Sequence, residues 1–504
     1  MRVRKTSTFM GPVVAVLLMT TGLSAPAGAV VGAASPKPTV STLVPSVTSI
    51  PHEGGDVLLS ATVSMSDGSA MPDGTCQFIS NKPVSGLPAS VACVAGAVSY
   101  GVTIPANLST KAYSVKFRLA VTGTPGSKPV KSPWSDTVMV DPFLGQASAI
   151  TARGSTTCAI TGLTGTVRCW GDNSHGQLGN KTTIDSLVPV TVKGLSGATA
   201  IATGGSHTCA LVSGGKVSCW GWNVFGELGD GIYDNSNVPV RVTGLTGAIA
   251  IAAGYLHTCA LLSGGTVQCW GDSQYGKLGD GSSGSSSTVP VSVSGLSGVT
   301  AIAAGGGHTC ALLSGGTVQC WGYGDGGQLG NGASGIFSFS SVPVSVTDLT
   351  EVTAIAAGTG DTCALITGGT VQCWGRNTWG ELGDGTPNNS NVPVSVSSLT
   401  GVTGIAPGGG HTCALISGGT VQCWGYNYYG ELGNGTSTNS PPYGSYVPVG
   451  VVSLTGVTAI TAGQDHTCAL LSGGTVQCWG RNLHGELGNG SIYPSIVPVS
   501  VSGL

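Results

Sequence analysis

Charge is scarce in this sequence. Asp, Glu, Lys and Arg make up 8% of its 504 residues and aromatic residues 6%, and no cluster of Lys or Arg occurs after residue 5. A chain without a basic patch lacks the electrostatic footprint of a nucleic-acid or anionic-membrane binder, so neither partner is expected. Beyond the N-terminus no apolar run is long enough to cross a bilayer as a helix, and no membrane span is expected. Little charge combined with 84 glycines is a composition met in disordered chains. Here the 41% apolar fraction falls in short, regular β-type runs, which argues against disorder.

What is present begins with residues 1–29, which read as a secretory signal. Arg2, Arg4 and Lys5 form a basic start, residues 11–23 an apolar middle, and Ala27-Gly28-Ala29 a small-residue cleavage site. Removing three of the 19 basic residues leaves 16 against 22 acidic ones. The expected location is secreted, extracellular or associated with the cell surface.

Sixteen cysteines, an even number in an exported chain, point to a disulfide framework. Fourteen of them recur two by two: Cys158 with Cys169, Cys209 with Cys219, Cys259 with Cys269, Cys310 with Cys320, Cys363 with Cys373, Cys413 with Cys423, and Cys468 with Cys478. In six pairs the partners lie ten positions apart around a Gly-Gly turn, and in the first a four-residue turn absorbs one extra residue. A short turn sets the two cysteines opposite each other on antiparallel strands, with Cα atoms roughly 4.5–5.5 Å apart, within disulfide reach. Zinc is the rival reading, but the spacing is not that of a short knuckle and no histidine is consistently paired with it. Cys76 and Cys93 are expected to pair with each other.

The cysteine hairpin belongs to a cycle of about 50–55 residues written seven times, a period that marks stacked supersecondary units. Each cycle holds an apolar run such as 250–253, the hairpin, a turn-rich stretch such as 276–281, and a Val-Pro-Val-type strand such as 238–242. Four strands in each of seven cycles suit a seven-bladed β-propeller over residues 146–504. On the hairpin Cys209 and Leu211 point one way and Ala210 and Val212 the other; both sets are apolar, as strands buried on two faces require. Six apolar runs follow a Val-Pro-Val strand, whereas the first follows residues 141–144. The seventh such strand, at 497–501, is therefore expected to pair into the first blade and close the ring. Ahead of the repeats, residues 39–142 alternate β-rich runs (57–65, 75–80, 97–104, 113–122) with turns, which suits a small immunoglobulin-like β-sandwich. The fold class expected is all-β.

The cycle A-I-A-A-G-x-x-H-T-C-A-L…G-G-x-V-x-C-W-G-x-N-x-x-G-x-L-G-x-G resembles the regulator of chromosome condensation repeat, and the resemblance implies a propeller. The family's nucleotide-exchange activity toward a small GTPase and its chromatin binding are not carried over. The chain has a signal, no basic tail and no insertion that matches an exchange wedge. Trp170, Trp220, Trp270, Trp321, Trp374, Trp424 and Trp479 recur once per cycle, as core packing does, and are not grouped as a chromophore would need.

Other recurring residues read as framework. His207, His257, His308, His411 and His466 share one position, with Thr156 and Asp361 in the remaining copies; hydrogen bonding within each blade explains them better than a metal site. Glu227, Glu381, Glu431 and Glu486 alternate with Gln177, Lys277 and Gln328 and show no catalytic pairing. No catalytic residue, metal or cofactor is assigned. Function is sought instead in the loops that vary: Trp222, Phe225, Tyr275, Tyr323, Trp379, Tyr426, Tyr428 and Tyr429 in one stretch, and Tyr233, Phe337, Phe339, Tyr443, Tyr446 and Tyr493 in a second. Aromatic loops on a rigid ring suit recognition of an extracellular protein or a cell-envelope glycan. The leading expectation is a non-enzymatic binding protein; the alternatives are an enzyme acting on extracellular polysaccharide and a structural or adhesive surface component.

Overall fold

The computed structural model describes residues 146–504 apart from Leu163, together with the backbone of strands between Pro38 and Asp141. The chain divides into two units, Met1–Leu144 and Gly145–Leu504. In the first, Gly54–Met65 pairs antiparallel with Gly96–Pro105, and Gly74–Ser80 with Phe117–Thr122. The secretory signal, the sandwich packing and the bond expected between Cys76 and Cys93 lie outside the described residues and side chains.

The second unit is a ring of seven four-stranded antiparallel sheets, at 147–191, 198–241, 248–292, 299–345, 352–395, 402–450 and 457–500. We number them blades 1 to 7. Each runs in chain order from its innermost to its outermost strand. The second strand, as in His207–Val212, is buried along five of its six residues, because the sheet is covered on both faces by neighbouring blades.

The turn of each hairpin sets its two cysteines directly opposite, as Cys209 stands to Cys219. The same register closes seven disulfides, one per blade. They are Cys158–Cys169, Cys209–Cys219, Cys259–Cys269 and Cys310–Cys320 in blades 1 to 4. Cys363–Cys373, Cys413–Cys423 and Cys468–Cys478 follow in blades 5 to 7. The pairing is the one that turn length predicts, but the spacing is tighter. The Cα atoms of Cys259 and Cys269 lie 4.0 Å apart, and those of Cys310 and Cys320, Cys363 and Cys373, and Cys413 and Cys423 lie 4.1 Å apart. Opposed residues without a covalent link stay roughly 4.5–5.5 Å apart, and the bond draws the two strands together. All fourteen of these cysteines are fully buried, and none is free among the described residues.

The outermost strand explains its own proline. In blade 1 it pairs through Cys169↔Val190 and Gly171↔Ser186, with a bulge between. Pro189 falls inside that bulge, where its missing N–H costs no ladder bond. The Ser186 hydroxyl donates to the Val188 carbonyl at 2.7 Å across the bulge. Serine repeats this contact in the other six blades, from Ser236 to Ser495.

Here one expectation is corrected. The strand Ser495–Ser500 does not enter blade 1; it pairs with Val476–Gly480 as the outermost strand of blade 7, and blade 1 has its own at Ser186–Thr191. Every Val-Pro-Val strand belongs to the hairpin before it, because the bulged register matches it to the Cys-Trp-Gly strand. The ring closes without a shared strand, by packing and hydrogen bonds between blades 7 and 1. Seven apolar clusters each join the cystine and leucines of one blade to an alanine and the tryptophan of the next, such as Cys209, Leu211 and Leu228 with Ala260 and Trp270. The last joins Cys468, Leu470 and Leu487 to Ala159 and Trp170 in the same way. All seven tryptophans are fully buried, and each indole N–H donates to a backbone carbonyl of the preceding blade at 2.8 to 3.0 Å. A tryptophan can be buried this completely only when its N–H is satisfied.

The seam between blades 7 and 1 carries that bond from Trp170 to the Glu486 carbonyl. It adds Ala147 N–H to the Gly474 carbonyl at 2.7 Å and Arg168 to the Gly503 carbonyl at 2.8 Å.

Candidate functional site

In a four-stranded antiparallel blade, the first-to-second and third-to-fourth connections emerge on the same face of the ring. The longer connection is built on a buried asparagine. Asn223 accepts the Leu228 N–H through its side-chain oxygen at 2.9 Å and donates to the Ile232 and Asp234 carbonyls. Asn173, Asn377 and Asn482 play the same part, and Asn427 accepts the corresponding Leu432 N–H. The buried acidic position locks the loop once more: Glu227, Glu381, Glu431 and Glu486 each accept the backbone N–H two residues earlier, at 2.7 to 2.9 Å. Burial raises the carboxyl pKa of Glu227 to about 7 and of Glu431 to about 8.

The histidines do not converge, and their bonds run between blades, not within them as expected from sequence. Nε2 of His207, His257, His308, His411 and His466 meets the threonine hydroxyl of the next blade at 2.7 to 2.9 Å. Each threonine donates its own proton to the carbonyl of the buried Gln/Glu/Lys position, so Nε2–H is the donor to the hydroxyl. Burial lowers the pKa of His207, His308 and His466 to about 3, so they stay neutral.

The shorter connection holds what sequence reasoning missed. Three residues before each histidine the chain writes glycine, because a Cβ at Gly204, Gly254, Gly305 or Gly463 would lie 2.2 Å from the imidazole. Blade 1 departs at both positions together: Arg153 replaces the glycine, and Thr156 replaces the histidine that would collide with it. Arg153 reaches across the centre of the ring and donates to the Ala304, Ala357 and Gly358 carbonyls of blades 4 and 5 at 2.9, 3.3 and 3.2 Å. Blade 5 is the other copy without the histidine. There the buried Asp361 has its carboxyl pushed up to about 8 by burial and by Glu381, against the opposing pull of Arg376 and Arg153.

One residue further on, Gly154, Gly205, Gly306 and Gly409 alternate with Tyr255, Thr359 and Gln464. These three larger side chains meet near the axis. The Tyr255 hydroxyl donates to Gln464 Oε1 at 3.0 Å, the Thr359 hydroxyl lies 3.4 Å from the Tyr255 oxygen, and the Arg153 guanidinium sits 5.5 Å from the Tyr255 ring centre. Toward blades 5 and 6 they leave almost no space, about 10 Å³. On the other side a cleft of about 310 Å³ opens between Asp172, Trp222, Tyr255 and Gln464. Gly154 and Gly205 keep it open: a Cβ on Gly205 would strike the Tyr255 ring at 2.4 Å.

The aromatic residues expected from the sequence sit along the seams of this face and do not form one surface. Trp222 alone lines the cleft, with the His175 ring edge-on to it at 3.9 Å. Tyr275 packs on Tyr323 at 4.9 Å and near Phe339, between blades 3 and 4. Trp379, Tyr426 and Tyr443 meet between blades 5 and 6, and Tyr426 continues to Tyr428 and Tyr429. The Arg481 guanidinium lies 5.9 Å from the Tyr429 ring centre, across the seam to blade 7. Phe225 enters no aromatic pair among the described residues. Tyr233, Phe337 and Tyr493 are strongly exposed at loop tips. At the last seam His484 bonds Asp185 at 2.8 Å beside Asp172, whose two oxygens accept the Ser174 N–H and the Gln177 amide.

Comparison with known proteins places this architecture. The chain is 32% identical over 206 residues to the Ultraviolet-B receptor UVR8 of Arabidopsis thaliana, across 40% of this chain and 34% of that protein. It is 30% identical over 213 residues to the mitochondrial RCC1 domain-containing protein RUG3 of the same plant, across 41% and 47% respectively. The chain thus spans less than half the length of these curated relatives. Among solved structures, human WBSCR16 superposes with a TM-score of 0.60 at 24% identity, over 67% of this chain and 94% of that one. Yeast RCC1 (Prp20) superposes at 0.59 and 22%, over 71% and 85%. At these identities the likeness is one of fold. A repeat model, regulator of chromosome condensation (RCC1) repeat, matches residues 164–211 and 214–261. The RCC1-like domain model covers residues 246–504, just over half of the sequence, and the chain therefore belongs to the RCC1-like propeller family.

Proposed function

We propose that the propeller is a non-enzymatic recognition module, exported from the cell, whose loop face binds an extracellular protein or cell-envelope glycan with the off-axis cleft as its centre. The observation that carries this reading is convergence. Tyr255 and Gln464, which break the repeat at a position otherwise held mostly by glycine, line a single opening with Trp222, and Arg153 backs the Tyr255 ring. A rigid ring with a concave, partly aromatic site on its loop face is the usual form of a ligand-binding scaffold. Proteins of this fold serve as binding partners elsewhere: one solved structure is of yeast RCC1 bound to Kap60, and another concerns Prp20p and its binding to Gsp1p and histones. The apolar N-terminal signal pattern and the seven cystines suit an oxidising compartment outside the cell.

The repeated carboxylates do not support a hydrolase. Glu227, Glu381, Glu431 and Glu486 are buried and bonded to their own loops, and Asp172 is the acidic residue that lines the cleft. The test is capture from culture supernatant and cell-wall material by the full-length protein and by its Trp222→Ala/Tyr255→Ala variant. The expected result is loss of capture with cooperative melting retained; undiminished capture by the variant overturns the cleft as the centre of recognition.

A further inference from the structure

We infer that the off-axis cleft holds the terminal residue of a neutral glycan, an inference that rests on the cleft being the recognition centre. Its volume of about 310 Å³ lies at the lower end of the ~300–1,000 Å³ range of small-molecule sites, enough for one sugar ring and not for a peptide segment. Trp222 and Tyr255 offer aromatic rings from adjacent blades, and the same lining holds a carboxylate (Asp172), an amide (Gln464) and the hydroxyls of Ser155 and Ser206. A sugar presents the matching pair of surfaces: an apolar patch of C–H groups and a rim of hydroxyls that both donate and accept. Carboxylate oxygens accept such hydroxyl protons in charge-assisted bonds. The Asp172 carboxylate is held ready for this by the Ser174 N–H and the Gln177 amide, each 2.9 Å away, which fix its orientation and leave lone pairs on both oxygens.

Charge selects against the other ligands. A cation resting on Tyr255 would share that ring with the Arg153 guanidinium, already 5.5 Å from its centre and anchored to three carbonyls of blades 4 and 5. An anion would meet the Asp172 carboxylate. A neutral, hydroxyl-rich ligand meets neither penalty. The Tyr255 hydroxyl is engaged with Gln464 Oε1 at 3.0 Å, which holds the ring upright as a wall and leaves the Gln464 amide N–H₂ to donate to a sugar oxygen.

The test is a glycan array carrying hexose- and N-acetylhexosamine-terminated, sialic-acid-terminated and glucosamine-terminated chains, probed with the full-length protein. Neutral termini are expected to bind at least about tenfold more tightly than either charged class, and Asp172→Asn and Trp222→Ala are each expected to weaken that binding about tenfold. Ser206→Arg, which fills the cleft from a half-buried loop position, should abolish it with thermal melting unchanged. Preference for charged termini, or neutral binding indifferent to all three substitutions, overturns the inference. A parallel experiment places a photo-crosslinking residue at Ser206. If the array is blank while the crosslinker fixes a protein partner in a way that Trp222→Ala prevents, the glycan is wrong and the cleft stands. If both are blank, both readings fall.

Discussion

Arg153 and Thr156 form a matched exception, and the match can be tested by breaking it from each side. With arginine retained, Thr156→His sets an imidazole against the Arg153 Cβ, since a Cβ built on the glycine at this place in other blades would lie 2.2 Å from the histidine ring. Overpacking of this kind costs about 1–3 kcal/mol. The double variant Arg153→Gly/Thr156→His should recover most of the loss, because it restores the contact that His207 makes with Thr258 in the neighbouring copy. Denaturant unfolding of the two singles and the double reads the coupling directly, and additive effects would show that the two positions are independent. Asp361 carries a second expectation. Its carboxyl titrates near 8 in the folded protein against an ordinary value of 3.8, so between those pH values the folded state holds a proton that the unfolded chain has released. Stability from this group is present at low pH and lost as pH rises toward 8. Asp361→Asn should therefore raise the melting temperature more at pH 8 than at pH 5; an equal gain at both would refute the assignment. The buried histidines act with the opposite sign. Those titrating near 3 bind fewer protons folded than unfolded below about 6.5, so their contribution falls away as the medium is acidified.

Among elements, the outermost strand of blade 7 separates two kinds of ring. Removing residues 495–504 takes Val501 from the cluster with Trp170 and strips one sheet edge, but it leaves blade 1 with all four of its strands. Hydrogen exchange in the truncated protein should quicken mainly in blade 7 and along its seam with blade 1, while the hairpin Cys158–Cys169 stays protected. Fast exchange throughout blade 1 would mean that the strand is shared after all. The pairing expected from the sequence, into blade 1, fails for a physical reason. Each Val-Pro-Val run is flanked by apolar strands on both sides, and periodicity counts strands without saying which neighbour a given strand joins. The deciding cue was local: the proline needs a bulge, and the bulge register fits the Cys-Trp-Gly strand. The cysteine hairpins were far more legible, since turn length alone dictates which residues face each other. The cleft was the least legible part. Tyr255 and Gln464 occupy a two-residue gap filled mostly by glycine in the other copies, and a gap of glycine reads as constant framework until the axis brings the exceptions together. Aromatic loop residues drew attention because they are large. Most of them, such as Tyr275 on Tyr323, turn out to cover seams.

At the scale of the whole molecule, low charge and repeated geometry go together. A seam made of indole N–H to carbonyl, imidazole to hydroxyl and cystine against leucine needs no ion pair, and the ring repeats that solution with few changes. The seam between blades 7 and 1 repeats the indole-to-carbonyl bond and the apolar cluster of the other six, with no strand crossing it. The ring thus has no built-in origin. A circular permutant that opens the backbone in the link 346–351 and joins the old ends by a flexible peptide should fold, melt within a few degrees of the parent and keep its cleft intact. A large drop in melting temperature would show that one seam is privileged. In such a molecule position is defined only by departures from symmetry, and Arg153 serves as the compass needle: it marks which blade is first far more firmly than the peptide chain does.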